Sequence, residues 1–244
     1  MKIGVISDVH GNIFGLRSCL GELERKGVKL VVCAGDLVGY YPFINEAIEE
    51  LVGRGITTIL GNHDAYLVGI KEVSSYKRSR YSLDWMNEKI TSSNLEFLRK
   101  RPLDFFCNLD GVNLSMFHGS PWSIDEYIYP DHASFERFTQ VSGDVVILGH
   151  THYPLLYQVP GGPFILNPGS CGQPRDGNPR AAYSILDTET QNVEVNRVGF
   201  DTETLARETM ELGFPKANID ILQRIEKERN SRTYKARFEK RKND

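Results

Sequence analysis

Five of the six histidines in this 244-residue chain, His10, His63, His118, His150 and His152, stand directly after short apolar runs in glycine-flanked turns. Such runs, bounded by turn residues, read as buried strands. The same turns carry acidic and amide side chains, in Ser7-Asp8-Val9-His10-Gly11-Asn12, Gly35-Asp36 and Gly61-Asn62-His63-Asp64. An Asp-x-His pair can reach one cation if the backbone turns between its members, and Gly11 permits that turn. A single such triplet is common by chance, whereas five histidines arriving at strand ends point to one shared site. The donors are imidazole, carboxylate and amide with no thiolate, which suits octahedral or five-coordinate first-row ions better than structural zinc. Asp8, His10, Asp36, Asn62, His118, His150 and His152 are too many ligands for one ion. His132 follows no strand and reads as an ordinary packed or surface histidine.

The elements that must position these residues follow from the hydrophobic pattern. Lys2 to Ile6, Leu30 to Ala34 and Ile56 to Leu60 read as strands ending at the three turns. Between them, Ile13, Leu16, Leu20 and Leu23 share one helical face after an Asn12 N-cap, and Ile44, Ala47, Ile48 and Leu51 share another after Pro42. Strands alternating with amphipathic helices imply right-handed parallel crossovers, so all three strand ends should lie on one edge. Residues 64–102 read as helix and loop without a site-like cluster. Asp110-Gly111 marks a hairpin between Phe105–Leu109 and Val112–Phe117, and the second strand stops at His118. Asp144 to Leu148 is another apolar strand, ending at Gly149-His150-Thr151-His152. Hairpins around Pro160–Pro163 and between Ala181–Asp187 and Val193–Val198 complete a mixed second half, expected to stack as a sheet on the first. From residue 201 to 244 the chain reads as a helical, basic extension of the domain formed by residues 1–200, dispensable for the chemistry.

Composition limits the classes of function. Hydrophobic and charged fractions of 40% and 25% are those of a globular protein. No apolar run reaches membrane-spanning length, and Met1-Lys2 leads straight into a strand, so no signal peptide and a cytoplasmic location are expected. Cys19, Cys33, Cys107 and Cys171 form no Cys-x-x-Cys pair and read as free thiols. Residues 216–244 hold 10 Lys/Arg against 5 Asp/Glu, while the body of the chain is acidic. A nuclease would want the basic residues along its channel, so nucleic acid is not the expected partner.

Taken together, Asp8-x-His10, Gly35-Asp36, Gly61-Asn62-His63-Asp64, His118 and Gly149-His150-x-His152 resemble the five-block signature of the calcineurin-like metallophosphoesterases. The resemblance runs from Met1 to about Val198. It implies an α/β fold, a four-layer α/β/β/α sandwich of two mixed β-sheets flanked by helices. It also implies a centre of two divalent ions, with Mn²⁺ favoured and Fe, Ni or Zn possible. Asp8, His10 and His152 would hold one ion, Asn62, His118 and His150 the other, and Asp36 together with a hydroxide would bridge them. His63 would stand beside the pair and contact the phosphate. Asp64 reads first as a residue favoured by a helix N-terminus, with an orienting role as the alternative.

The second block lacks the Arg that Ser/Thr protein phosphatases of this fold carry. Asn167-Pro168-Gly169-Ser170-Cys171-Gly172-Gln173-Pro174-Arg175 looks like small bacterial and archaeal phosphodiesterases. Asn12 and Arg175 are candidate substrate-binding residues, and Tyr40 and Tyr41 read first as packing beneath the loop, with stacking on a base as the alternative. Two divalent ions opposed by Asp8, Asp36 and a hydroxide leave a single positive charge, which a phosphodiester monoanion neutralises. The expected activity is therefore hydrolysis of small phosphate esters or nucleotides, diester before monoester, by a metal-activated hydroxide. A dinucleoside polyphosphate hydrolase and a general phosphatase are the alternatives. A non-catalytic scaffold is opposed by the presence of His63 and the complete ligand set, and a homodimer stays open.

Overall fold

A computed structural model of the chain describes residues 1–132, 134–223 and 234–241. Its elements are β1 (Lys2–Ile6), α1 (Ile13–Arg25), β2 (Leu30–Cys33), α2 (Ile44–Gly53), β3 (Thr57–Thr58), α3 (Asn62–Leu67), α4 (Ser75–Arg80), α5 (Leu83–Lys89), α6 (Ser92–Arg99), β4 (Asp104–Leu109) and β5 (Val112–Phe117). There follow β6 (Val145–Ile147), β7 (Pro154–Gln158), β8 (Phe164–Pro168), β9 (Ala181–Asp187), β10 (Asn192–Val198), α7 (Thr202–Glu211), α8 (Ala217–Asp220) and β11 (Tyr234–Arg237).

The β1-α1-β2-α2-β3 run forms as its periodicity dictates. Asn12 Oδ1 accepts the Gly15 N–H and caps α1, whose Ile13, Leu16, Leu20 and Leu23 are buried against the sheet. α2 buries Ile44, Ala47, Ile48 and Leu51 beside them. β1 pairs parallel with β2, and β2 with β3. β3 is two residues long because Leu60 leaves the ladder and donates to Pro102 O.

Two mixed sheets result, in the orders β11-β10-β9-β1-β2-β3 and β4-β5-β6-β8-β7. The β9–β10 hairpin does not extend the second sheet, as the order along the chain suggests. It returns to pair β9 antiparallel with β1. The sheets face each other across Ile3, Val5, Val32, Leu114, Val145, Ile147, Phe164 and Leu166. Helices α1 and α2 cover the outer face of the first sheet. A two-turn 3-10 segment, Phe135–Gln140, with Ile128 covers the second. In this arrangement β1, β2 and β3 end on the same side of the sandwich as the parallel strands β5 and β6.

Of residues 201–244, 224–233 and 242–244 lie outside the described residues, and among the rest the helical reading holds only in part. α7 and α8 are short helices, but Tyr234–Arg237 is a strand that adds to the edge of β10. Phe238 then enters the space between the sheets, fully buried near Phe164. The Arg241 N–H reaches Asp144 Oδ1 at 2.8 Å, and Glu239 N–H reaches Gln158 Oε1 at 3.1 Å. The basic residues here flank an apolar anchor that straps one sheet to the other. Deleting a fully buried aromatic side chain removes its transfer free energy and leaves a cavity. Phe238→Ala is therefore expected to lower the unfolding free energy by about 3–5 kcal/mol, measured by urea denaturation. A loss below about 1 kcal/mol would show that the tail is not part of the core.

Candidate metal centre

Each turn at this edge holds its side chain inward through an unusual backbone. Asp8, His10, Asp36, Tyr40, His150 and His152 all have positive φ, between 52° and 66°, as do only three other non-glycine residues among those described. Left-handed backbone at a residue bearing a Cβ costs of order 1–3 kcal/mol and persists only where surrounding bonds impose it. Those bonds are present. Asp8 N–H donates to Gly35 O, His10 N–H to Asp36 O and Gly11 N–H to Leu37 O, so the first two turns are laced together. The Cys171 and Gly172 N–H groups donate to Ser7 O and Asp8 O, and Ser170 Oγ to Asp8 O, which adds the loop after β8. Gly61 is required where the third turn meets the second, since a Cβ there would lie 2.0 Å from Asp36 Oδ1.

Asp64 closes the same lacing. Its buried carboxylate accepts the N–H groups of Gly61, Leu37 and Val38. The helix-terminus reading describes only the first of these; the other two make Asp64 the residue that holds the Asp36 turn in place.

The imidazoles are fixed by main-chain carbonyls. His10 Nδ1 lies 2.9 Å from Val38 O, His118 Nδ1 2.7 Å from Ala34 O and His152 Nδ1 2.5 Å from Gln173 O. A carbonyl can only accept, so each Nδ1 carries the proton and, in the neutral ring, each Nε2 offers a lone pair. Those lone pairs converge on the two carboxylates. His152 Nε2 is 3.4 Å and His10 Nε2 3.9 Å from Asp8 Oδ1, while His118 Nε2 and His10 Nε2 are 3.3 and 3.6 Å from Asp36 Oδ2. His118 Nε2 also lies 3.1 Å from Asn62 Oδ1. The ligand atoms fall into three overlapping groups, Asp8–His10–His152, His10–Asp36–His63 and Asp36–His118–His150.

A cation fits this arrangement on electrostatic grounds. His10 Nε2 and His152 Nε2 face each other at 3.1 Å. Burial lowers the pKa of His10 to about 4 and that of His152 well below its ordinary value, so both rings are neutral and two lone pairs confront each other. Asp8 Oδ2, His150 Nε2 and His63 Nδ1 are buried without hydrogen-bond partners. Unpaired buried polar atoms cost about 1–3 kcal/mol each; bound cations would satisfy Asp8 Oδ2 and His150 Nε2, while His63 Nδ1 is left over.

The remaining expected residues divide. Asn12 is not at the cleft: its Oδ1 caps α1 and its Nδ2 donates to Gly172 O, so both polar ends are spent within the fold. Arg175 does line the cleft, with its guanidinium bonded to the Tyr40 hydroxyl and Gln173 Oε1. Tyr41 packs beneath the loop as expected, whereas Tyr40 stands at the cleft with its ring 4.7 Å from that of His10. Sequence reasoning passed over Tyr66, Lys77, Tyr81, Asp125 and Tyr127, which also line it. The Tyr81 ring rests 4.1 Å from His63, and the Tyr127 ring 4.1 Å from His150. They arrive on α4-flanking and post-β5 loops that carry no periodic signal.

Residues 1–191 match the calcineurin-like phosphoesterase superfamily domain, and the chain belongs to that family. It is accordingly a metal-dependent phosphoric-ester hydrolase. The Uncharacterized protein MJ0912 of Methanocaldococcus jannaschii is 32% identical over 216 residues, covering 82% of this chain and 88% of the relative. Phosphodiesterase MJ0936 of the same organism is 29% identical over 193 residues, covering 78% and 94%. A metallophosphoesterase structure from Sphaerobacter thermophilus superposes with a TM-score of 0.80 at 29% identity, covering 92% of this chain and 99% of that one. No helix among the described residues is long and apolar enough to cross a membrane.

Proton competition at the ligands sets a pH dependence. Burial raises the Asp8 carboxyl to about 7 in the metal-free protein. At His118 burial is outweighed by the Asp36 carboxylate, which raises the imidazole to about 9. With Asp8 and His118 as candidate ligands, metal entry would displace both protons, so affinity would rise with pH. The apparent Mn²⁺ association constant should climb about tenfold per pH unit between 7 and 9, and more steeply below 7. A metal titration across that range giving a flat profile would contradict the assignment of Asp8 and His118 as ligands.

Proposed function

We propose that the protein is a cytoplasmic, dinuclear-metal phosphodiesterase acting on small diesters, the internal linkages of nucleoside polyphosphates included. Asp8, His10 and His152 would hold one ion, Asn62, His118 and His150 the other, and Asp36 both. Two divalent cations so held, Mn²⁺ before Fe, Ni or Zn, would acidify a water and neutralise charge on the phosphoryl oxygens. The observation that carries this reading is the set of three imidazoles whose Nδ1 atoms are spent on carbonyls and whose Nε2 atoms converge on Asp8 and Asp36.

The chain's own groups have separate tasks. Asp36 Oδ1 accepts the His63 N–H at 2.8 Å, so the same carboxylate that faces the ligand histidines also seats the His63 backbone. His63 lines the cleft, and its Nδ1 has no protein partner. It is thus free to hydrogen-bond a phosphoryl oxygen or donate to the leaving oxygen in the transition state. Arg175 has no carboxylate partner among the described residues, leaving its charge for a non-bridging oxygen of the ester. The ion that balances the centre is a diester monoanion, and Arg175 allows a dianionic monoester as a poorer substrate. The relative named as a phosphodiesterase supports the same preference.

Two experiments separate the parts. Asp36→Asn should lose metal and activity together, because a neutral amide bridges two cations poorly, whereas His63→Ala should keep its metal and lose about 10²–10⁴ in rate. Metal content by mass spectrometry beside turnover reads both; full activity after chelation, or an unimpaired His63→Ala enzyme, contradicts the mechanism. In a matched pair of aryl phosphates the diester should show the higher kcat/KM, and Arg175→Ala should harm the monoester more. A tenfold preference for the monoester, ~1.4 kcal/mol in transition-state terms, would overturn the diester assignment.

A further inference from the structure

One feature of the cleft is not needed to hold metal or to move a proton. Tyr127 lines the cleft, and the chain then leaves it with Ile128 buried in the core above the second sheet and Tyr127 and Tyr129 open to solvent on either side of it. The alternation of exposed, buried and exposed residues places the two tyrosines on one side. Their rings are parallel to within 7°, with centroids 5.6 Å apart, and they are 47% and 37% exposed. Tyr127 lies against His150, while Tyr129 meets the edge of Tyr153. The result is an aromatic platform that starts at a candidate metal ligand and leads away from it.

The residues leading into the platform are tied to their neighbours. Asp125 pairs with Lys71 at 3.2 Å, and Glu126 pairs with Arg137 at 2.7 Å while also accepting a short hydrogen bond from Ser120 Oγ. Arg137 in turn stacks on the exposed Trp122. The segment so tied leaves two large rings exposed to water. Exposed aromatic surface beside a polar cleft is characteristic of a binding surface. The cleft beside it carries two cationic side chains, Arg175 and Lys77. Aromatic rings next to cations and a phosphate-ester centre match one ligand chemistry, a planar base attached to phosphate.

We propose that Tyr127 and Tyr129 seat the nucleobase of the substrate, making this a phosphodiesterase for nucleotide esters rather than for simple alkyl or sugar diesters. The inference rests on the phosphodiesterase reading above and adds the identity of the group next to the scissile bond. Stacking of a base on an aromatic side chain is sequence-tolerant, since every base has a π-face. The platform therefore selects for a base without choosing strongly among bases.

The test compares two substrates with the same leaving group, thymidine 5′-(4-nitrophenyl phosphate) and methyl 4-nitrophenyl phosphate, on the Mn²⁺-loaded full chain. The nucleoside ester should be preferred by about tenfold or more in kcat/KM, in line with one stacked base. Tyr129→Ala should bring that ratio close to one, and Tyr129→Phe, which keeps the ring, should restore it. Calorimetric titration with adenosine 5′-monophosphate and with inorganic phosphate supplies a readout independent of turnover. The nucleotide should bind more tightly to the parent chain, and the advantage should vanish in Tyr129→Ala. No preference in the parent, or a preference that survives Tyr129→Ala in either assay, overturns the platform. If neither ester is hydrolysed but the calorimetric difference holds, the phosphodiesterase reading has failed and the base-binding platform has not.

Discussion

Lone pairs of imidazole nitrogens, forced together with two carboxylates in a buried space, are the constraint on which this molecule depends. His10 and His152 present nitrogens 3.1 Å apart that cannot hydrogen-bond each other once their Nδ1 atoms donate to Val38 and Gln173 carbonyls. Such an arrangement is repulsive until positive charge sits within it. The protein secures it with backbone. Six residues around the centre adopt left-handed φ, and their turns are tied by main-chain bonds between segments far apart in sequence, such as Asp8 to Gly35 and Gly172 to Asp8. Asp64 contributes by receiving three N–H groups from two of those turns.

The sandwich provides the stiffness that such strain needs. Parallel strands in both sheets end at one edge, so five turns from two sheets meet there without a long excursion by any of them. The core between the sheets is apolar from Ile3 to Phe238, and the last residues described complete it. Fold and site are thus coupled: a shift of one sheet across the other would pull His118 and His150 away from Asp8 and Asp36.

Much of this was legible in the sequence because it follows from local pattern. Apolar runs of four or five residues ending in Asp-x-His, Gly-Asp, Gly-Asn-His and Gly-His-x-His identify strand ends, and helical periodicity between them implies parallel pairing. Other parts were hidden for physical reasons. The β9–β10 hairpin can close either sheet, and only the packing of β9 on β1 decides it. Residues 234–238 are too short and too basic to announce a strand with a buried Phe238. Asn12 stands beside the Asp-x-His turn in sequence, yet its N-cap role and a carbonyl partner consume its side chain. Tyr81 and Tyr127 reach the cleft on loops, where neither period nor spacing foretells which way a ring points.

The central claim is that these side chains form a two-ion centre, and anomalous diffraction from crystals soaked in Mn²⁺ tests it most directly. Two anomalous peaks are predicted, one bounded by Asp8, His10 and His152 and the other by Asn62, His118 and His150, with Asp36 between them. A single peak, or density that avoids the Nε2 atoms of His10, His118 and His152, would contradict the account.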